Sequence, residues 1–176
     1  MFINIIKQLS NISHSRGYWL LYIIGSLCML AAALYFQFIR ELPPCLLCIQ
    51  VRLLFSLLII VSIIGLLSQN IRALNAIAHL SVVIIAVSFI ERSYQLLGTE
   101  RGFVFSDCGF NLGLPAWFAI DEWLPWLYRV ETTCGYTPEL LFGITMAEAL
   151  MVMSVLLFLV SFCVTIASFI RPFIRH

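Results

Sequence analysis

Residues 44–67 read PCLLCIQVRLLFSLLIIVSIIGLL, and this stretch decides the fold. From Cys48 onwards it is apolar for about 20 residues, the length that an α-helix needs to cross the hydrocarbon core of a bilayer. Cys45 and Cys48 stand at its start, and Arg52 follows one helical turn later. The stretch therefore predicts a transmembrane helix with a pair of thiols at one end.

The composition of the whole chain also indicates a membrane protein. Of its 176 residues, 62% are hydrophobic and only 11% are charged, whereas an average soluble domain has about 25% charged residues. The net charge of +1 gives no support for nucleic-acid binding. We expect one all-α domain over residues 1–176, because helices satisfy their own backbone hydrogen bonds inside a bilayer.

Four segments have the length and composition of membrane spans, namely residues 18–38, 48–67, 74–90 and 141–170. They predict a bundle of four transmembrane helices with outer loops at residues 39–47 and 91–140. The first span has two interpretations. Lys7 and Arg16 precede it as in a signal peptide, but its apolar run is longer than the usual core of about 7–15 residues, which favours a retained helix.

The charged residues predict the orientation of the spans. Of the nine carboxylates, all except Glu148 fall in the two outer loops. Five basic residues without acidic neighbours fall on the opposite side: Lys7, Arg16, Arg72, Arg171 and Arg175. The positive-inside rule then places both termini of this multi-pass chain in the cytoplasm. In the bacterial inner membrane, the outer loops would face the periplasm, where conditions are oxidising.

The six cysteines sort according to this topology. Cys28 and Cys163 fall inside predicted spans, and we expect them to pack as buried, small apolar side chains. None of the others lies in a cytoplasmic loop. These four outer cysteines are Cys45, Cys48, Cys108 and Cys134. They predict two dithiol/disulfide couples.

The first couple is expected at the start of the second helix. Pro43 and Pro44 suit the approach to a helix N-terminus, whose partial positive charge favours a thiolate, the reactive form of cysteine. Arg52 shares a helix face with Cys48 and is a functional candidate, with snorkelling towards the headgroups as the alternative. Gln37, near the outer end of the first span, is a candidate for a ligand hydrogen bond or for a structural role.

The second couple lies in a loop that is too long to be a simple connection. Cys108 and Cys134 have 25 residues between them, 109–133. A disulfide between them has two interpretations. It is either a structural bridge or an exchanging bond that passes electrons between a soluble partner and the Cys45–Cys48 pair.

Between these two cysteines, residues 115–126 are rich in tryptophan and proline. Trp117, Ile120 and Leu124 recur at helical spacing, and tryptophan prefers the headgroup layer of a membrane. The stretch predicts a short interfacial helix that Pro125 ends or bends. An aromatic cluster packed against the bundle is the alternative.

Taken together, these motifs resemble the disulfide bond formation protein B (DsbB) family along nearly the whole chain. The resemblance rests on RGYWLL at residues 16–21, YFQ at 35–37, PCLLCI at 44–49 with Arg52, the spacing of Cys108 and Cys134, EWLP at 122–125 and FGITM at 142–146. It implies a membrane thiol–disulfide oxidoreductase.

The resemblance also implies a route for electrons. A reduced, DsbA-like thioredoxin-fold protein of the periplasm would attack the Cys108–Cys134 disulfide at Cys108, and Cys134 would then exchange with Cys45. Cys48 would be left as a thiolate facing a membrane quinone, either ubiquinone or menaquinone, with Arg52 stabilising the negative charge. The electrons would leave as quinol into the membrane quinone pool.

Two other interpretations stay open. A vitamin K epoxide reductase-like protein also combines four helices, thiols and a quinone, but its thiol pair is expected at the start of the last helix. The other is a non-enzymatic membrane protein with a structural loop disulfide or a four-cysteine metal site. We expect no metal, and no flavin or nucleotide motif is present in the sequence.

Overall fold

The computed structural model describes residues 15–69, 71–104, 120–134, 139–141 and 143–174. Cys108 lies outside these ranges, as do residues 115–119 of the predicted interfacial helix. Within the ranges there are six helices and one two-stranded sheet. In chain order they are α1 (Arg16–Phe38), α2 (Leu46–Leu67), α3 (Arg72–Arg101), α4 (Ile120–Trp123), α5 (Pro125–Tyr128), β1 (Glu139–Leu141), β2 (Ile144–Thr145) and α6 (Met146–Ile174).

Four of the described helices, α1, α2, α3 and α6, are long and apolar enough to cross a membrane. α1 packs on α2, α2 packs on α3, and α3 packs on α6. The predicted all-α architecture with four membrane helices is therefore confirmed.

The third long helix continues beyond the span predicted at residues 74–90. It ends at Arg101, and Gly102 follows with a φ of 74°, the left-handed conformation that commonly closes a helix. Glu91, Arg92 and Glu100 end the apolar run, but they do not end the helix, since Glu and Arg are good helix formers. The last turns of α3 therefore present polar side chains.

The fourth long helix begins later than the predicted span at residues 141–170. β1 pairs with β2 in an antiparallel arrangement, and α6 begins at Met146. Thr145 and Glu148 form a reciprocal capping box: the Glu148 N–H donates to Thr145 Oγ1 at 3.3 Å, and the Thr145 N–H donates to Glu148 Oε2 at 3.2 Å. Glu148 also forms an ion pair with Arg101, so this carboxylate joins the ends of α3 and α6.

An aromatic cluster fills the space between α1, α2 and α3 at the end of the bundle opposite Cys45. Trp19 is fully buried, and a Cβ added to Gly65 would lie 2.6 Å from three carbons of its ring. The buried ring of His79 has its centroid 4.8 Å from that of Trp19 and 5.5 Å from that of Tyr18. His79 therefore packs in the bundle at this end.

Two cysteines do not lie where the sequence predicts. Cys28 on α1 and Cys163 on α6 are both free and exposed on the outer surface of the bundle. The expectation that they are buried is wrong, because hydrophobicity alone does not distinguish a helix face that meets lipid from one that meets protein.

The predicted interfacial helix is described only in part. α4 and α5 are separate single turns, and Leu124 stands between them. Pro125 occupies the first position of α5, where its missing N–H is not needed. Trp123 and Trp126 are exposed, whereas Tyr128 is buried against α2.

Candidate functional site

The two cysteines of the C-x-x-C motif form the start of α2. Cys45 is the N-cap residue, and its Sγ accepts a hydrogen bond from the N–H of Cys48 at 3.3 Å. A side-chain oxygen of Ser, Thr, Asp or Asn usually fills this role. Cys45 is only 2% exposed and Cys48 is partly buried, and both thiols are free.

The two thiols occupy unequal environments. A side-chain hydrogen bond with Cys48, and then burial, raise the pKa of Cys45 above its ordinary value. Cys48 lies in the first turn of α2, where unpaired backbone N–H groups favour negative charge. Negative charge on this pair is therefore expected at Cys48.

Arg52 lies one turn further along α2 and is only 5% exposed. Its Nη1 donates to Gln37 Oε1 at 2.6 Å and to the carbonyl oxygen of Leu127 at 3.0 Å. Its Nη2 donates to the carbonyl oxygen of Ala33 at 3.2 Å. These acceptors are an amide oxygen and two carbonyl oxygens, so they do not neutralise the positive charge of the guanidinium beside Cys48. Its burial among protein groups differs from the geometry of an arginine that snorkels to the headgroups.

A cavity of about 70 Å³ adjoins these side chains. Four of the six predicted site residues line it, namely Cys45, Cys48, Arg52 and Gln37. The apolar part of the lining includes Met29, Phe36, Phe55, Met146 and Leu150. The cavity therefore has a polar end, with a thiol and a cation, and walls from α1, α2 and α6 that suit an apolar ring.

The segment before Cys134 lies against the turn that precedes α2. The N–H groups of Glu131 and Thr132 donate to the carbonyl oxygen of Pro44 at 3.0 and 3.3 Å, and Thr132 forms a parallel bridge with Cys45. Cys134 is disulfide-bonded and packs against the same buried cluster that contains Cys45. The structure thus brings a fifth predicted site residue to the first couple, while Cys108 lies outside the described residues.

Sequence reasoning missed the other contacts that attach this segment to α2. The Leu127 carbonyl accepts from Arg52, and the hydroxyl of Tyr128 is 2.6 Å from Ser56 Oγ. No pattern in the sequence identifies a backbone carbonyl as the acceptor of a distant arginine. A serine in an apolar helix, such as Ser56, also gives no signal, since it commonly bonds only to its own backbone.

The fold and the site define a class of protein: a multi-pass membrane protein with a thiol pair at the end of one membrane helix, a buried arginine beside it, and a disulfide-bonded cysteine in a neighbouring loop. Comparison with known proteins gives the family. The model for Disulfide bond formation protein DsbB matches residues 15–164.

Individual relatives agree with this match. Disulfide bond formation protein B of Shewanella sp. (strain MR-4) is 30% identical over 141 residues, which cover 80% of this chain and 81% of the relative. Disulfide bond formation protein B 2 of Pseudomonas aeruginosa is 32% identical over 145 residues, covering 81% and 83%. The chain belongs to the DsbB family, which confirms the resemblance, and it is a disulfide-forming membrane oxidoreductase.

Proposed function

We propose that this protein oxidises a DsbA-like dithiol protein of the periplasm and passes the electrons through its two cysteine couples to a membrane quinone. The proposal includes a location in the bacterial inner membrane with both termini in the cytoplasm, as the distribution of basic residues predicts. The single observation that carries it is the cavity lined together by Cys48, Arg52 and Gln37.

The chemical groups that line this cavity suit a quinone, which has an apolar ring and carbonyl oxygens that become negative on reduction. Arg52 offers positive charge to such an oxygen, a form of stabilisation that is strong in a dry site. Because the oxygen of Gln37 accepts from Arg52, its NH₂ group is left to donate to a ligand. Phe36 and Met146 offer apolar surface to the ring. A bound quinone would supply a lipid-soluble acceptor for two electrons.

The first chemical step is an exchange with the partner protein. A thiolate of the reduced partner attacks Cys108, which forms a mixed disulfide and releases Cys134 as a thiolate. Cys134 then attacks the oxidised Cys45–Cys48 bond at Cys45. A Cys45–Cys134 bond forms, the Cys45–Cys48 bond breaks, and Cys48 leaves with the electron pair.

The remaining steps restore the loop disulfide. The second thiol of the partner displaces Cys108 from the mixed disulfide, so that the partner leaves oxidised. The Cys108 thiolate then attacks Cys134, so that the Cys45–Cys134 bond breaks, the Cys108–Cys134 bond re-forms, and Cys45 and Cys48 are left as a dithiol. Re-oxidation of this dithiol, with loss of two electrons and two protons, completes the cycle.

The unequal environments of the two thiols support attack at Cys45. This direction of attack expels Cys48, and the helix N-terminus and Arg52 both stabilise negative charge there. Attack at Cys48 would instead place the charge on Cys45, which is buried, and burial disfavours a thiolate there.

Trapping of the mixed disulfide tests the relay. A Cys134→Ser variant is mixed with a DsbA-like protein that keeps only its attacking cysteine, activated as a mixed disulfide with nitrothiobenzoate. We expect a complex linked through Cys108 that survives a non-reducing gel and is released by dithiothreitol. A variant with both Cys134→Ser and Cys108→Ser should form no complex. Absence of the Cys108-linked complex, with full quinone-dependent activity in Cys134→Ser, would contradict the relay.

A further inference from the structure

Tyr128 attaches the loop segment to α2 through its hydroxyl group. The side chain is 3% exposed and packs with Leu46 and Ile49 in one buried cluster. Its hydroxyl lies 2.6 Å from Ser56 Oγ, and Ser56 Oγ in turn donates to the carbonyl oxygen of Arg52 at 3.0 Å. Because the single hydroxyl hydrogen of Ser56 is used in that bond, Tyr128 donates to Ser56.

This hydrogen bond fixes where the segment sits along α2. Most side chains of α2 are apolar, and leaving a buried hydroxyl without a hydrogen-bond partner is unfavourable. If the segment moved by one residue along α2, the hydroxyl of Tyr128 would lie beside an apolar side chain instead of Ser56. The pair therefore favours one position of the segment over its neighbours.

A second attachment lies between Tyr128 and Cys134. The N–H groups of Glu131 and Thr132 both donate to the carbonyl oxygen of Pro44, the residue before Cys45. The chain is thus held to α2 by Tyr128 and to the preceding turn by Glu131 and Thr132. Cys134 follows two residues after the second attachment, so both attachments limit the positions that its sulfur can take relative to Cys45.

We infer that Tyr128 and Ser56 are positioning residues for the exchange between the two couples, because their hydrogen bond holds Cys134 beside Cys45. The inference rests on the proposed function and deepens one step of it, the attack of the Cys134 thiolate on Cys45 with departure of Cys48. Neither Tyr128 nor Ser56 lines the cavity. We therefore assign their effect to the position of the Cys134 sulfur and not to the binding of a ligand. Correct placement of two reacting groups raises their effective concentration, and this raises the rate of exchange.

The effective concentration of Cys134 at Cys45 is measurable without a quinone or a partner protein. The full chain carrying Cys48→Ser and Cys108→Ser keeps only Cys45 and Cys134 as outer thiols. This protein, in detergent, is equilibrated with mixtures of reduced and oxidised glutathione. Acid quenching, alkylation and mass spectrometry then give the fraction with a Cys45–Cys134 disulfide, and hence the effective concentration.

Adding Tyr128→Phe removes only the hydroxyl, and adding Ser56→Ala removes its acceptor. We expect each change to lower the effective concentration roughly fivefold, since a typical net hydrogen bond contributes about 1 kcal/mol and 1.4 kcal/mol is tenfold. The two changes together should lower it no further than the stronger single change, because both break the same bond. Wild-type effective concentrations in both single variants would overturn the inference.

Two control variants remove the same chemical groups elsewhere. Tyr94→Phe removes an exposed hydroxyl from α3, and Ser88→Ala removes a serine that donates to the Ile84 carbonyl, as Ser56 does to that of Arg52. Both should leave the effective concentration unchanged. A fivefold fall in the controls as well would show a general loosening of the bundle and would contradict a specific role for Tyr128.

A kinetic comparison separates this inference from the proposed function. With all outer cysteines present, Tyr128→Phe should slow quinone reduction driven by the partner protein, but not quinone reduction driven by dithiothreitol acting on Cys45 and Cys48. Equal loss in both assays would contradict positioning. If the unmodified protein reduces no quinone with either donor, the proposed function fails, while the glutathione measurement still decides whether Tyr128 positions Cys134.

Discussion

Replacement of Arg52 by methionine removes the positive charge at the cavity and keeps a side chain of similar length. The guanidinium donates to Gln37 and Leu127 and faces the space that we assign to a quinone. A hydrogen bond from a charged donor contributes about 1.5–3 kcal/mol. If Arg52 donates to a quinone oxygen, its loss should raise the KM for quinone roughly 10- to 150-fold, since 1.4 kcal/mol is tenfold.

The assay follows the oxidation of dithiothreitol by a short-chain ubiquinone analogue, with the purified protein in detergent. Every protein compared carries Cys108→Ser and Cys134→Ser, so dithiothreitol can act only on the Cys45–Cys48 bond and the assay does not depend on the loop disulfide. Arg92→Met is the matched control, because Arg92 donates to Gln95 on α3 and does not line the cavity. Arg52→Lys keeps the charge without the planar fork and should give an intermediate KM. A KM for Arg52→Met within twofold of the unmodified protein would refute the assignment of Arg52 to the quinone.

The same substitution should also loosen the loop segment. Without Arg52, the carbonyl oxygen of Leu127 loses its donor, at a cost of about 1–3 kcal/mol if it stays buried. Leu127 precedes the segment that carries Cys134, so Arg52→Met should slow partner-driven turnover more than dithiothreitol-driven turnover at saturating quinone. Equal effects on both rates would show that the contact with Leu127 does not matter for exchange.

Three further predictions concern stability, each measured as thermal unfolding in detergent. Gly65→Ala should destabilise the protein by about 1–3 kcal/mol, because the new Cβ would lie 2.6 Å from the Trp19 ring. Gly25→Ala should leave the stability unchanged, because, among the residues that the structure describes, nothing beyond its own stretch of helix lies within 4 Å of a Cβ at that position. Equal effects of the two substitutions would contradict this packing. Glu148→Ala should lower the stability by about 1 kcal/mol through loss of the capping box. Glu148→Gln should lower it less, since glutamine also suits the box and an exposed ion pair contributes little. Equal losses of stability in the two variants would make the ion pair with Arg101 the important contact. The pKa of Cys45 is raised in the folded dithiol form, so above the ordinary thiol pKa of about 8.5 the folded chain keeps a proton that the unfolded chain loses. The contribution of Cys45 to stability is therefore complete below that pH and declines above it. A reduced protein whose stability does not fall between pH 8 and pH 10 would contradict the raised pKa.

The membrane helices were predictable because the length and hydrophobicity of a span are local properties of the sequence. The first and last residues of the helices were less predictable. α3 passes through Glu91 and Arg92 to Arg101, since a helix does not need to end where it leaves an apolar environment. The start of α6 depends on the capping box of Thr145 and Glu148, which lies within the predicted apolar span.

The functional site was likewise predictable only in part. The i, i+4 spacing placed Cys48 and Arg52 on one face of a single helix, and no tertiary information was needed for that. The bond between Gln37 and Arg52 requires α1 to pack on α2 at one particular height, which hydrophobic patterns do not specify. The attachment of Leu127 uses a backbone carbonyl, a group that every residue carries, so the sequence contains no sign of it.

The most direct test of the central claim is a count of electrons. The purified protein is mixed, without oxygen, with an excess of a reduced DsbA-like protein and a limiting amount of a short-chain quinone analogue, and thiols and quinol are measured together. We predict one quinol for every two partner thiols oxidised, and no turnover in Cys45→Ser, Cys48→Ser, Cys108→Ser or Cys134→Ser. Oxidation of the partner at the same rate without quinone, or full turnover in any of these four variants, would contradict electron transfer through the two couples.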